Sequence, residues 1–545
     1  MCSQNIELKI DSETPLSETF LDSLGAPFYF EILEELQPKT DTITLRLQHL
    51  GYLDVSLEAI QKKDDSLYLA KYLLGNRWRE VEIHCGDFDL DFKTIELYVS
   101  KKTDSTFTIP LSLTQKTLLA LSKAKALQGD PFASFQLTQI EKKDLRTLNA
   151  QLTVETNRVR KIDNWVVKGY EKFPISFLKY HAGVKKGRVF NQSKLIAQNE
   201  LVDGLGFVDA LKPPEALFKK DSTIVYFYFK KRTFNHFDGI LGFATNENTQ
   251  KLELNGYLDL ELNNNLNFGE QLKLVYKADG REQQNFEAST HMPFLFKTPF
   301  SLSLGLKIFK RDSTFATTEQ LLKLHYQTSP KITVYAGYKT YESSNLLDET
   351  LAGSLVENFN SRYLLLGGKY TKRQKSLFFP IKTSIYLESE VGKRKTGLEN
   401  QDQIRLSLEA KHNFNLSYNN SIFVQSTNSY LNSGNYLANE LFRFGGINTL
   451  RGFNENSIDA SLFSTINTEY RYLFNEGLYV HTILDAAYFE NETVGIQERL
   501  YSFGLGLGLN TNAGILRLSL ANGFSKNQAI NASNTKVHLS LSASF

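Results

Sequence analysis

From about residue 232 to the end, the chain alternates apolar and polar residues with a period of two, and few folds can use that pattern for so long. Leu252, Leu254, Leu258, Leu260 and Leu262 fall on even positions, while Glu253, Asn255, Asp259 and Glu261 fall on odd ones. The alternation recurs at Phe300-Leu302-Leu304-Leu306-Ile308, at Ile404-Leu406-Leu408-Ala410 and at Val537-Leu539-Leu541-Ala543-Phe545. A period of two sends successive side chains to opposite faces of a strand, so residues 232–545 read as continuous antiparallel β. These 545 − 231 = 314 residues, at very roughly 20 per membrane-spanning strand and its connection, supply about sixteen strands. A soluble sandwich and a transmembrane barrel both fit the period. The length, the abundant Tyr and Phe near strand ends and the asymmetric connections favour the barrel, which leaves no strand edge unpaired in lipid.

Hydropathy alone would miss this, because no run approaches the roughly 18 apolar residues of a spanning helix and a barrel averages its two faces. Charge excludes other classes. With 62 Lys and Arg against 60 Asp and Glu, the net charge is +2 and leaves no electrostatic footprint for nucleic acid. Two cysteines, Cys2 and Cys85, cannot build a disulfide framework or a four-cysteine zinc site. Cys85 reads as a buried strand residue.

The first 231 residues mix helical and strand patterns and repeat themselves. Gly51-Tyr52-Leu53-Asp54-Val55 is echoed by Gly129-Asp130-Pro131-Phe132-Ala133 and by Gly206-Phe207-Val208-Asp209-Ala210, at glycine spacings of 129 − 51 = 78 and 206 − 129 = 77. Each is followed by an aspartate that opens a strand: Asp65, Asp144 and Asp221. The expectation is three α+β modules, at 1–80, 81–161 and 162–231. Each has a first strand, a helical middle, a glycine turn and a hairpin, and the barrel follows at 232–545.

Such tandem modules ahead of a barrel resemble the POTRA-plus-barrel architecture of the BamA/TamA superfamily of outer-membrane assembly factors, three modules being nearer to TamA than to the five of BamA. The most specific resemblance lies in Leu441-Phe442-Arg443-Phe444-Gly445-Gly446-Ile447-Asn448-Thr449-Leu450-Arg451-Gly452-Phe453. Its end, Leu450, Arg451, Gly452 and Phe453, is similar to the family's loop-six signature, with Leu450 where many relatives have valine. An arginine folded into a barrel lumen needs carboxylates. On the next two strands the even positions, Ile466 to Phe474 and Leu478 to Ala486, look outward, so Glu469 and Asp485 look inward. The resemblance implies that these two contact the loop arginine; ordinary lumen carboxylates are the plainer alternative. The glycine-rich stretches Ser502–Leu509 and Gly514–Ala521, and the terminal Phe545, also resemble family features.

The family implies ATP-independent insertion, folding or translocation of outer-membrane β-barrel proteins. Unfolded clients and periplasmic accessory proteins would dock on the modules by β-augmentation, the barrel would act on outer-membrane lipid, and the modules would sit in the periplasm. A lateral seam is expected between the first strand, loosened by Gly239 and Gly242, and the last, ending at Phe545. The alternatives are a two-partner secretion pore for one passenger or a passive porin. No enzyme is expected. There is no Gly-x-Ser-x-Gly, His-Glu-x-x-His or Walker loop, and His481 and Asp485, four apart on one strand, are about 13 Å from each other. No cofactor or metal is implied. The start, Met1-Cys2-Ser3-Gln4, lacks a signal sequence, so Cys2 is either a lipid-accepting cysteine or a residue near an ordinary cleavage site.

Overall fold

The computed structural model describes residues 6–86, 88, 92–245, 252–278, 283–311, 314–347, 356–397, 399–511, 514–526, 530–531 and 535–542. Cys2 and Phe545 lie outside these. By contacts the chain divides into two compact units. One holds residues 1–164, 186–194 and 216–225, and the other 165–185, 195–215 and 226–545.

The first sheet has the strand order Phe28–Phe30, Ile6–Ser12, Leu67–Leu73, Ser56–Lys62, with helices Glu18–Leu24 and Leu36–His49 in the connection. Its first and last strands in sequence are parallel neighbours, which a helical crossover permits. Leu8, Ile43, Leu47, Ala70 and Tyr72 are fully enclosed between sheet and helix, and the Tyr72 hydroxyl donates to the Thr40 carbonyl at 2.9 Å. The second sheet, of five strands between Glu80 and Glu155, repeats the parallel central pair and places helix Thr114–Leu127 in the crossover. Its core is Ile83, Phe107, Ile109, Ala150 and Leu152, with Cys85 buried at the edge and its thiol pKa raised by that burial. The third sheet runs Asn164–Lys168, Thr223–Lys231, Val208–Phe218, with helix Gln192–Asp203.

The repeated glycines do the same work three times. Gly51, Gly129 and Gly206 follow helices with φ of +104°, +101° and +91°, a region that side chains with a Cβ avoid. The Gly51 carbonyl accepts from Trp78 N at 2.8 Å, and the Gly129 carbonyl from Arg160 N at 2.7 Å, so each turn ties down the strand that leaves its module. The aspartate register needs correction. Asp144 accepts from the backbone of Arg146 and Thr147, and its counterpart is Asp64, which accepts from Ser66 and Leu67, not Asp65. Those backbone N–H groups hold both carboxyls below the usual carboxylate range. In the third sheet Asp163, not Asp221, accepts from Thr223 N, at 2.7 Å.

The remainder forms a sixteen-stranded antiparallel sheet in which strands pair in chain order. The strands are β1 His236–Thr245, β2 Leu252–Asn263, β3 Gln271–Ala278, β4 Gln283–Met292, β5 Phe300–Arg311 and β6 Phe315–Ser329. Next come β7 Ile332–Asn345, β8 Phe359–Arg373, β9 Ile381–Thr396, β10 Glu399–Asn415 and β11 Asn420–Ser433. The last five are β12 Leu462–Asn475, β13 Leu478–Asn491, β14 Ile496–Thr511, β15 Gly514–Ser525 and β16 Lys536–Ser542. The strand order begins at β1 and ends at β16. One face of the wall is apolar and exposed, as at Ile466, Tyr470, Phe474 and Leu484; the other buries Thr465, Asn467, Glu469 and Asp485. Among the described residues no helix is long and apolar enough to cross a membrane.

Candidate functional site

The longest excursion inside the barrel sequence, residues 434–461, joins β11 to β12 and folds against the polar face of the wall. Short strands Phe442–Phe444 and Ile458–Ala460 pair to form its stem. At its tip Gly445 and Gly446 adopt φ of +111° and +92°, and Gly446 N donates to the Leu450 carbonyl at 3.0 Å. That tight turn pushes Leu450 into an apolar cluster with Phe444, Ala460, Phe463, Phe489 and Leu500, where it is fully buried.

Arg451 then faces the two carboxylates. Its Nε donates to Asp485 Oδ2 at 2.8 Å and its Nη2 to Asp485 Oδ1 at 2.6 Å, a bidentate fork, while its backbone N donates to Oδ2 at 3.2 Å. Its Nη1 donates to Glu469 Oε1. All three residues are less than a tenth exposed. The other oxygen of Glu469 is taken by a residue the sequence pattern did not single out, Arg471, through its Nε at 2.7 Å. Two guanidinium groups and two carboxylates thus form a neutral set, which is what keeps buried charges affordable in a lumen. Gly452, with φ of +84°, sits so close to β15 that a Cβ would fall 2.6 Å from Gly523 N, and Phe453 lies over Gly523. Only its place as a glycine within a strand marks Gly523 in the sequence.

A second anchor holds the other end of the loop with the opposite polarity. The Glu440 carboxylate accepts from Arg394, from Gln403 Nε2 at 2.8 Å and from Leu437 N at 3.0 Å, while its carbonyl accepts from Arg405 at 3.1 Å. Glu440 and Arg394 are each 1% exposed. On the return limb, Asp459 receives both terminal nitrogens of Arg311, at 2.6 and 3.0 Å. These contacts bring one loop against β5, β9, β10, β12, β13 and β15.

Other residues named from sequence are placed as follows. Gly239 pairs with Leu258 and Gly242 with Asn255 in the β1–β2 ladder. The His481 ring stacks on Tyr479, with centroids 5.5 Å apart. Among the described residues no group of three or more His, Cys, Asp or Glu side chains is placed to hold a metal ion.

Residues 264–545 match the model of the Omp85 superfamily domain. The chain belongs to the Omp85 superfamily. Among solved structures, BamA from Haemophilus ducreyi lacking POTRA domains 1–3 superposes with a TM-score of 0.52 at 15% identity, over 85% of this chain and 99% of that one. CdiB from Acinetobacter baumannii gives 0.51 at 13%, and CdiB from Escherichia coli 0.51 at 14%, each over 98% of this chain and 100% of its own. At these identities the likeness is one of fold: POTRA-like α+β modules followed by a sixteen-stranded barrel. No curated protein sequence matches.

Proposed function

We propose that this Omp85 protein inserts and folds other β-barrel proteins in the bacterial outer membrane, without enzymatic chemistry and without ATP, its modules lying in the periplasm. The observation that carries this reading is the loop arginine forked onto Asp485 and bonded to Glu469 beneath an otherwise polar lumen wall. The modules supply a second support. Strands Ser56–Lys62 and Ser134–Lys142 end their sheets, so an unfolded client strand can add to either edge by backbone pairing. Accessory proteins would use the same surfaces.

At the barrel, β1 and β16 are the two ends of the strand order, and Gly239 and Gly242 offer no side chains to secure β1. We place the lateral seam there, with client strands templating on the β1 edge and surrounding lipid disordered. Cys2 is proposed as a lipid attachment point.

The test is reconstitution of the purified protein in liposomes and measurement of the folding rate of an unfolded outer-membrane barrel, against liposomes holding a porin. Acceleration is expected, and Arg451→Ala or a disulfide between β1 and β16 is expected to abolish it. No acceleration together with steady ionic conductance would overturn the insertase and favour a two-partner secretion pore or a passive porin.

A further inference from the structure

The turn between β8 and β9, Gln374-Lys375-Ser376-Leu377-Phe378-Phe379-Pro380, departs from the polar composition expected of a short strand connection. Gln374 N closes it on the Pro380 carbonyl at 2.9 Å, and the Gln374 side-chain amide donates to the Phe379 carbonyl at 2.8 Å. It lies at the barrel end that carries the third module: Lys375 pairs with Glu200 of helix Gln192–Asp203 at 2.6 Å. Two aromatic side chains would face water there, yet Phe378 is only 3% exposed.

What buries them is a strand four places further along the wall. Phe378 and Phe379 each meet the ring of Tyr479 on β13 edge-on, with centroids 4.8 Å apart. Four strand spacings separate β9 from β13, about 19 Å along the sheet, well beyond the reach of a phenylalanine side chain. The turn therefore leans inward across the mouth. Gly508 makes room for its landing place, since a Cβ there would lie 2.0 Å from the Tyr479 ring.

Phe379 also lies beneath the Arg471 guanidinium, 4.2 Å from its ring centroid, and Phe423 flanks the same cation at 4.0 Å. Arg471 is held in that plane by Asn413 Oδ1 at 2.7 Å and by Glu469 Oε2 at 2.7 Å. Glu469 is the carboxylate whose other oxygen binds the loop arginine. An unbroken run of contacts thus leads from Arg451 through Glu469 and Arg471 to Phe379.

We propose that the Phe378-Phe379 turn is an inward strap across the module-side mouth of the lumen, latched by Arg471, and that release of Arg451 from Glu469 loosens it. The charges give the direction. Without Arg451, Glu469 keeps one partner and can swing, so Arg471 loses its fixed plane. Without Glu469, Arg471 is a buried cation with no counter-charge and leaves for water, taking the cation–π platform with it. The strap operates whether the barrel inserts clients or exports a passenger, so its test does not depend on the function proposed above.

The test uses the full chain, refolded in detergent, with Trp78 and Trp165 replaced by Phe and Phe378→Trp as the single reporter. Collisional quenching by iodide is expected to be weak in this parent, to rise severalfold with Glu469→Gln or Arg471→Gln, and to rise less with Arg451→Ala. Arg471→Lys keeps the charge and is expected to recover part of the protection. Arg311→Ala, which frees the return limb of the loop without touching the strap, is expected to change nothing. Heat-modifiable gel mobility shows that each variant is folded. If Phe378→Trp does not fold, Phe378→Cys in a chain with Cys2→Ser and Cys85→Ala, alkylated by a water-soluble maleimide, reads the same exposure. Strong quenching in the parent, or equal quenching with and without Arg451, overturns the proposal.

Discussion

In the second module Ile83, Phe107 and Ile109 are wholly enclosed and most charged residues face water, the buried Asp130 excepted; in the barrel Arg394, Glu440 and Arg451 are enclosed, and Leu364 and Leu366 stand about 70% exposed. Both regions are antiparallel-rich sheet, and both satisfy backbone groups through the ladder. They differ in what lies on each face. A module has water outside and must bury oil, whereas a barrel in lipid has oil outside and buries charge, which it can do only by pairing every charge. The comparison also separates two ways of fixing a structure. Apolar packing tolerates exchange among residues of similar volume, while a charged lumen specifies partners one by one.

Breaking each region at its most enclosed residue is expected to give the largest effects. Phe107→Ala empties a module core and costs about 3–5 kcal/mol. Glu440→Ala leaves Arg394 buried without its carboxylate and costs about as much, roughly 3–5 kcal/mol. Equilibrium urea unfolding of the refolded chain measures both. The comparison sharpens in the rescue. Glu440→Met with Arg394→Met removes the charge problem and is expected to restore most of the loss, as replacing a whole buried pair often does. A double variant as unstable as Glu440→Ala would show that the loop base needs ionic bonding itself.

Next in size is a test of what each region shows to its surroundings. Leu366 lies near the middle of β8 on the apolar outer face, and Leu366→Arg is expected to cost about 2–4 kcal/mol in a bilayer. Leu97, 95% exposed in the second module, is surrounded by water, and Leu97→Arg is expected to stay within about 0.5 kcal/mol. Equal effects of the two would mean that the outer face of the barrel does not meet lipid.

The same contrast explains what could be read in the residues beforehand. Period-two alternation is local, so β1 to β16 and the inward direction of Glu469 and Asp485 follow from parity alone. The glycine spacing of 77–78 is equally local, and the three turns share one backbone conformation. Partners inside the lumen are another matter. Glu440 meets Arg394 across 46 residues and Arg471 meets Asn413 across 58, and parity shows only that the wall residues face inward, not which of them touch. Asp64 and Asp65 are adjacent carboxylates, and only the hydrogen bonds of Ser66 and Leu67 distinguish them. Gly523 is a strand glycine among several, and its use becomes visible only when Gly452 is placed against it. Gly452→Ala tests that contact: a Cβ at φ +84° facing the Gly523 backbone is expected to cost about 1–3 kcal/mol and to reduce Arg451-dependent activity in the liposome assay. Wild-type stability and activity would show that the loop tip has room to shift.

The smallest effect concerns how each region treats a titratable group. The lumen sets Arg451, Glu469, Arg471 and Asp485 in ion pairs, whereas the third module keeps His181 neutral. Burial pushes the His181 pKa down from its ordinary value to about 4; the Leu201 backbone opposes the shift and the nearby Arg373 adds to it. In the unfolded chain the ring titrates near 6.5. Between about pH 4 and 6.5 the unfolded state therefore binds more protons, so His181 contributes stability that is complete above 6.5 and is lost as pH falls toward 4. One proton limits the slope to about 1.4 kcal/mol per pH unit, and partial exposure of the ring lowers it further. Hydrogen exchange of helix Gln192–Asp203, followed from pH 7 to 5 after correction for intrinsic rates, is expected to show falling protection in the wild type and a flatter profile in His181→Gln. Protection of β12 and β13, whose lumen charges are held in ion pairs, is expected to hold. Parallel loss in both regions would mean that barrel and module unfold as one unit, and the contrast between a neutral buried group and paired buried charges would then have no separate thermodynamic signature.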